Sequence, residues 1–216
     1  PCPRANRLRT VVASPPAQMD WLPSLVILVM SVTVHEFFHG WIAQLGGDTT
    51  AKDLGRVTLN PIAHVDPVWS LMIPAILVMS GAHPIGAAKP VPVDPRRLTR
   101  GWYAAAIAAG PLSNLGLAFL GALILRLVGP GGPGRVPMIA LELVFINVGL
   151  FVFNLLPLYP LDGSRVASTI LMNRPSPVRE TQFTFFIGLG LLIALVSTGV
   201  LNRVILFLAG LVLRAM

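Results

Sequence analysis

His35, Glu36 and His39 lie in the run His35-Glu36-Phe37-Phe38-His39, and their spacing is that of a metal site on a helix. At 3.6 residues per turn, positions four apart differ by only about 40° around the axis, so both imidazoles can reach one ion. Glu36 then stands beside the ion without ligating it. HExxH is the arrangement in which two neutral histidines hold zinc and the glutamate acts as general base on the attacking water. The motif closes an apolar run from Trp21 to Val34, so this chemistry is expected inside a membrane rather than in a soluble helix.

The elements that must position it are membrane spans. Hydrophobic residues make up 54% of the 216 residues and charged residues only 12%, against roughly a quarter charged in soluble domains. The mean hydropathy of +0.74 points the same way. A soluble domain of this length would have too little polar surface to cover itself. Stretches able to cross, or nearly cross, a hydrocarbon core of about 30 Å run from Trp21 to Leu45, Trp69 to Gly81, Trp102 to Val128, Val136 to Leu158 and Phe183 to Leu213. The last is either one helix or two broken near Gly199-Asn202, which gives an all-α polytopic membrane protein of five or six transmembrane helices. Trp21 and Trp102 read as interfacial anchors.

The 20 Gly and 20 Pro suit lipid-embedded helices whose neighbours satisfy the freed backbone groups. A net charge of +7 invites a nucleic-acid partner, but the Lys and Arg are scattered over short loops rather than gathered on one face, so no nucleic acid is expected. They fall on both sides of the spans and set no orientation. Residues 1–18 form a Pro-rich basic leader, expected to be disordered. The span after it is expected to remain uncleaved, because the metal ligands follow it directly. The single cysteine, Cys2, excludes an intrachain disulfide and a cysteine-based zinc site.

Catalytic zinc usually takes three protein ligands, so a third must come from elsewhere. Among nine acidic residues, Asp20, Asp48, Asp53, Asp94 and Glu180 fall in polar, loop-like contexts. Asp66 and Glu142 are open alternatives without a strong local signal. Asp162 has one. It ends the apolar stretch Asn154-Leu155-Leu156-Pro157-Leu158-Tyr159-Pro160-Leu161-Asp162-Gly163, where an unpaired carboxylate is costly. The prolines break the helix and Gly163 permits a turn back toward the bundle. Zinc, two neutral imidazoles and one carboxylate leave a charge near +1, which ionised Glu36 brings close to zero.

Together with Gly110-Pro111-Leu112-Ser113-Asn114 and the Asn154–Gly163 segment, the HExxH run resembles the three signatures of the site-2 protease family of intramembrane zinc metalloproteases. Asn60-Pro61 with His64 and Asp66-Pro67, and Ala88-Lys89-Pro90-Val91-Pro92-Val93, are similar to its compact prokaryotic branch, without PDZ-like or regulatory domains. Ser164 stands where the family often has a second Gly.

The resemblance implies a metalloprotease core over residues 19–165, with C-terminal transmembrane helices over 166–216. It further implies one Zn2+ per chain held by His35, His39 and Asp162, with Glu36 as base. Asn154 would place substrate or stabilise the oxyanion. The substrate would be a single-span transmembrane protein cleaved in regulated intramembrane proteolysis, in the lipid bilayer of a prokaryotic cell membrane, with the active centre toward the cytoplasmic side.

Several residues carry plainer readings. Asn114 is a polar tie between helices or a substrate contact, and the glycine and alanines around it serve close helix packing. His64 is read as a hydrogen-bonded structural histidine, His83 as loop, and Glu142 as interfacial or paired with an arginine. Prolines at alternate positions keep residues 89–93 extended, leaving the amides and carbonyls of Val91 and Val93 to pair with an unwound substrate strand. A membrane metal-binding or transport protein remains an alternative, but such a path needs several polar ligands and no Glu next to the first His. An inactive protease-like scaffold is the other, and Glu36 argues against it.

Overall fold

A computed structural model describes residues 21–66, 89–171 and 182–215, with Met72 between them. The first apolar run forms α1, Trp21–Leu45, and carries the HExxH motif past its midpoint. It ends where Gly47 takes φ +106°, a left-handed conformation that closes helices. A short helix α2, Thr50–Asp53, and a 3-10 turn at Pro61–His64 follow. Residues 89–94 are neither helical nor paired, as alternating prolines require.

The long third helix α3, Arg100–Val128, stops at Gly129 (φ +78°). Helix α4, Val136–Leu155, has proline near its start, where a missing N–H costs nothing. A proline-rich turn leads to α5, Asp162–Leu171, and the C-terminal region holds α6, Gln182–Ser197, and α7, Val200–Ala215.

α3 is the centre of the bundle, packed on both α1 and α4 and touching α5 and α7. Cross-helix bonds give the directions. Ser24 meets Glu142 and Ser31 meets Asn147, so α1 and α4 run parallel. His35 meets Asn114 and His39 meets Ala106, so α3 runs against them. Small residues on α3 allow this approach: Ala118 and Ala122 face Val144, Val148 and Val152 of α4 and Ala209 and Val212 of α7. A Cβ at Gly121 would lie 2.8 Å from the carbonyl oxygen of Ala140. Large apolar side chains such as Leu22, Val26 and Met30 remain exposed on α1, as a helix facing lipid requires.

Among the described residues every regular element is helical, and residues 89–94 lie extended against the bundle. Three helices are long and apolar enough to cross a membrane, and four crossings result if α6 and α7, bent by 68° at their break, count as one. This is below the five or six expected. Apart from Met72, the expected span from Trp69 to Gly81 lies outside the described residues, as do His83 and the 1–18 leader. The C-terminal stretch is two helices, broken at Thr198-Gly199 with Gly199 at φ +68°.

Glu142 requires a correction. It is not paired with an arginine among the described residues but buried between helices, accepting a hydrogen bond from Ser24 Oγ at 3.2 Å. Parallel packing of α1 and α4 turns it inward.

Candidate metal centre

One turn apart on α1, His35 and His39 are both buried and face α3. His39 Nδ1 lies 2.8 Å from the carbonyl oxygen of Ala106, which can only accept, so that nitrogen carries the proton. His35 Nδ1 lies 2.6 Å from Asn114 Oδ1. The orientation of Asn114 is set by its other partners: its Nδ2 donates to the Ser31 carbonyl at 3.3 Å and to Asn147 Oδ1 at 3.0 Å. Asn147 in turn donates from Nδ2 to Ser31 Oγ at 2.9 Å and to the Leu143 carbonyl at 2.9 Å. Asn114 therefore presents its oxygen to His35, whose Nδ1 also carries the proton. Both Nε2 atoms are left with outward lone pairs.

Asp162, the first residue of α5, completes the set. Its Oδ2 lies 3.1 Å from His35 Nε2 and 3.2 Å from His39 Nε2, and the two nitrogens are 3.0 Å apart. The tight passage from α4 to α5 brings it there: a Cβ at Gly163 would overlap the Leu155 carbonyl and come within 2.5 Å of the Leu156 oxygen. Of the described residues, these three alone form a group suited to hold a metal ion.

Three atoms able to offer lone pairs converge here, an arrangement that a bound cation would satisfy. A tetrahedral zinc with bonds of about 2.0–2.1 Å has ligand–ligand edges of about 3.3 Å, so each observed edge need open by only a few tenths of an ångström. Two imidazoles and a carboxylate are borderline donors suited to zinc, and they leave a tetrahedral position free.

Glu36 is half-buried and points elsewhere: its Oε2 accepts the Val91 N–H at 2.8 Å. The Val91 amide, expected to be free, is thus engaged, and its side chain is buried. Val93 is half-buried against Ala43, Leu98, Tyr103, Ala106 and Ile107. Asn154, also half-buried, donates from Nδ2 to the Leu150 carbonyl at 3.0 Å within its own helix and stands outside the convergent group. Asn114, fully buried behind His35, is the polar tie between helices. His64 is buried, bonded through Nε2 to the Thr58 carbonyl at 3.0 Å, and does not join the metal group. Asp48 is in a loop but fully buried, and its carboxylate accepts the Asp94 N–H at 2.7 Å. The hydrogen bond from Arg96 holds the Asp94 carboxyl below its usual range.

Sequence reasoning missed Ser31, Asn147 and the steric role of Gly110. A Cβ at Gly110 would run into His39 Nε2 and lie 2.7 Å from His35 Nε2, so α3 can back the metal site only through glycine. Lone polar residues inside apolar runs, such as Asn147 and Ser31, were the available signal.

Fold and site together define a zinc metallopeptidase with membrane-spanning helices. The sequence profile described as Peptidase family M50 matches residues 134–195. The chain is 39% identical to the Bacillus subtilis protein named "Putative zinc metalloprotease YwhC" over 163 residues, 71% of each chain. It is 32% identical to "Putative zinc metalloprotease Rip2" of Mycolicibacterium smegmatis, covering 62% of this chain and 52% of that one. It is 30% identical to "Putative zinc metalloprotease Rip3" of Mycobacterium tuberculosis, covering 79% of this chain and 37% of that one. No solved structure matches. The chain belongs to peptidase family M50, the site-2 proteases.

Proposed function

We infer that this membrane metallopeptidase hydrolyses peptide bonds of single-span transmembrane proteins, in regulated intramembrane proteolysis, with its active centre toward the cytoplasmic side. The observation that carries the reading is the convergence of His35 Nε2, His39 Nε2 and Asp162 Oδ2 in one buried triangle, with both Nδ1 atoms already occupied. His35, His39 and Asp162 hold the metal. When bound, zinc polarises the scissile carbonyl and makes the attacking water more acidic.

Glu36 accepts the proton of that water and delivers it to the departing amine nitrogen. Asn154 must turn away from Leu150 to offer Nδ2 to the substrate carbonyl. A transmembrane helix hides its peptide bonds, so the substrate unwinds first and lies along the extended edge at Val91 and Val93. With Trp69 to Gly81 as a further crossing, the count is five spans, or six if α6 and α7 cross separately.

The test is incubation of zinc-loaded protein in detergent with a panel of single-span substrates, beside Glu36→Gln. The variant should keep zinc and fold yet lose cleavage by orders of magnitude, because Gln keeps the shape but cannot take the proton. Comparable turnover by the variant would remove the protease mechanism and favour a metal-binding or transport protein.

A further inference from the structure

The segment from Lys89 to Asp94 is tied down at both ends, and what lies between is unusual. Lys89 N–H donates to the His64 carbonyl at 2.8 Å, and Asp94 N–H to buried Asp48 Oδ2 at 2.7 Å. Pro90 and Pro92 have no N–H at all. Only Val91 and Val93 carry amides in the interval. The Val91 amide is spent on Glu36 Oε2 at 2.8 Å, while that of Val93 has no partner among the described residues.

The side chain of Val91 fixes this placement, since it is buried and packs over the HExxH helix, 3.1 Å from where a Cβ at Gly40 would stand. The Pro90 carbonyl points the other way, accepting from Arg56 Nη1 at 3.3 Å. The alternate prolines keep residues 89–94 extended, and along an extended segment residues 91 and 93 offer their polar groups on one edge. The edge available to a substrate strand is thus the edge that holds the candidate general base.

One amide N–H cannot serve a carboxylate and a substrate carbonyl at full strength together. We propose that Val91 is a positioning residue that acts as an exchange switch. In the free protein its amide holds the Glu36 carboxylate; a substrate strand pairing along Val91 and Val93 takes that amide and releases the carboxylate. The inference rests on the protease reading and deepens it: the base is released only where an unwound substrate already lies against the edge, and a substrate segment still helical, its own carbonyls occupied, does not release it.

The experiment measures binding rather than turnover. The probe is a short fluorescein-labelled apolar peptide with a trans-alkene in place of its central amide, titrated by anisotropy into the zinc-loaded full chain in detergent. Removing the competing carboxylate with Glu36→Ala should tighten binding roughly 10- to 150-fold, the effect expected of one charge-assisted hydrogen bond. In a Val91→Pro background, which lacks the amide, the same change should have no effect, whereas in a Val91→Ile background, which keeps it, Glu36→Ala should still tighten binding. A Glu36→Ala protein that binds the peptide no more tightly, or a gain that persists in Val91→Pro, overturns the switch.

Should Val91→Pro fail to fold, amide exchange in 15N-valine-labelled protein decides. The Val91 amide should be protected in wild type, exposed in Glu36→Ala and protected again by peptide. Full protection in Glu36→Ala without peptide refutes the proposal. A protein that cleaves single-span substrates without this coupling loses the switch alone, and one that shows the coupling but cleaves nothing loses the protease reading alone.

Discussion

Replacing Gly110 by alanine should cost the protein its metal while leaving the rest of the bundle standing. The new Cβ would sit 2.7 Å from His35 Nε2 and in direct collision with His39 Nε2. Ordinary closest approach for such atoms is about 3.5 Å, so roughly 0.8 Å must be found against His35 alone. Gly110 is on α3 and both histidines are on α1, so relief requires either the helices to part or the imidazoles to swing off their convergence.

Parting the helices strains the Asn114–Ser31–Asn147 bonds and the His39 bond to Ala106. Swinging the rings dismantles the ligand triangle. Overpacking of this kind costs about 1–3 kcal/mol. Borne by the metal-bound state, it corresponds to a roughly 5- to 150-fold loss of zinc affinity. The assay is zinc competition against a chromophoric chelator in detergent, read beside Gly116→Ala on the same helix. Position 116 has nothing within 4 Å of a new Cβ, and alanine favours a helix over glycine, so that variant should bind zinc normally. A Gly110→Ala protein with wild-type zinc affinity and cleavage would show that α3 does not back the metal site as closely as argued.

Asp162→Ala should lose the bound equivalent of zinc while Glu142→Ala and His64→Ala keep it, as metal analysis of purified protein will show; the reverse pattern would displace Asp162 as third ligand. Asn114→Ala leaves the ligands in place but frees the His35 ring to rotate and change tautomer, so zinc affinity should fall by about 10- to 100-fold, measured by the same competition. Zinc removal by chelator should lower the midpoint of thermal unfolding and zinc addition restore it, because the ion joins α1 to α5; an unchanged midpoint would mean the two are held equally well without it.

The candidate ligand set was legible because it is written in short-range rules. Four-residue spacing places His35 and His39 on one helix face wherever that helix lies, and a carboxylate in an apolar segment must find a cation, which singled out Asp162. Apolar length alone gave α1 from Trp21 to Leu45 and the end of α3 at Val128, since bilayer thickness acts on every residue of a span alike. Alternate prolines made residues 89–93 extended whatever packs on them.

Tertiary structure decided what depends on which faces meet. The inward turn of Glu142 onto Ser24, where an interfacial or arginine-paired residue was expected, follows from the parallel packing of α1 and α4. The same packing assembles Ser31, Asn114 and Asn147, residues from three helices, into the network that fixes the His35 tautomer. Gly110 looks like any small residue in a helix until the HExxH histidines are placed against it. The Val91 amide had no partner in sequence, because Glu36 is 55 positions away and meets it only when the extended segment lies across α1. Local backbone preference and transfer out of water are properties of residues and short windows; hydrogen-bond partnership and steric exclusion are properties of pairs, and pairs exist only once the chain has folded.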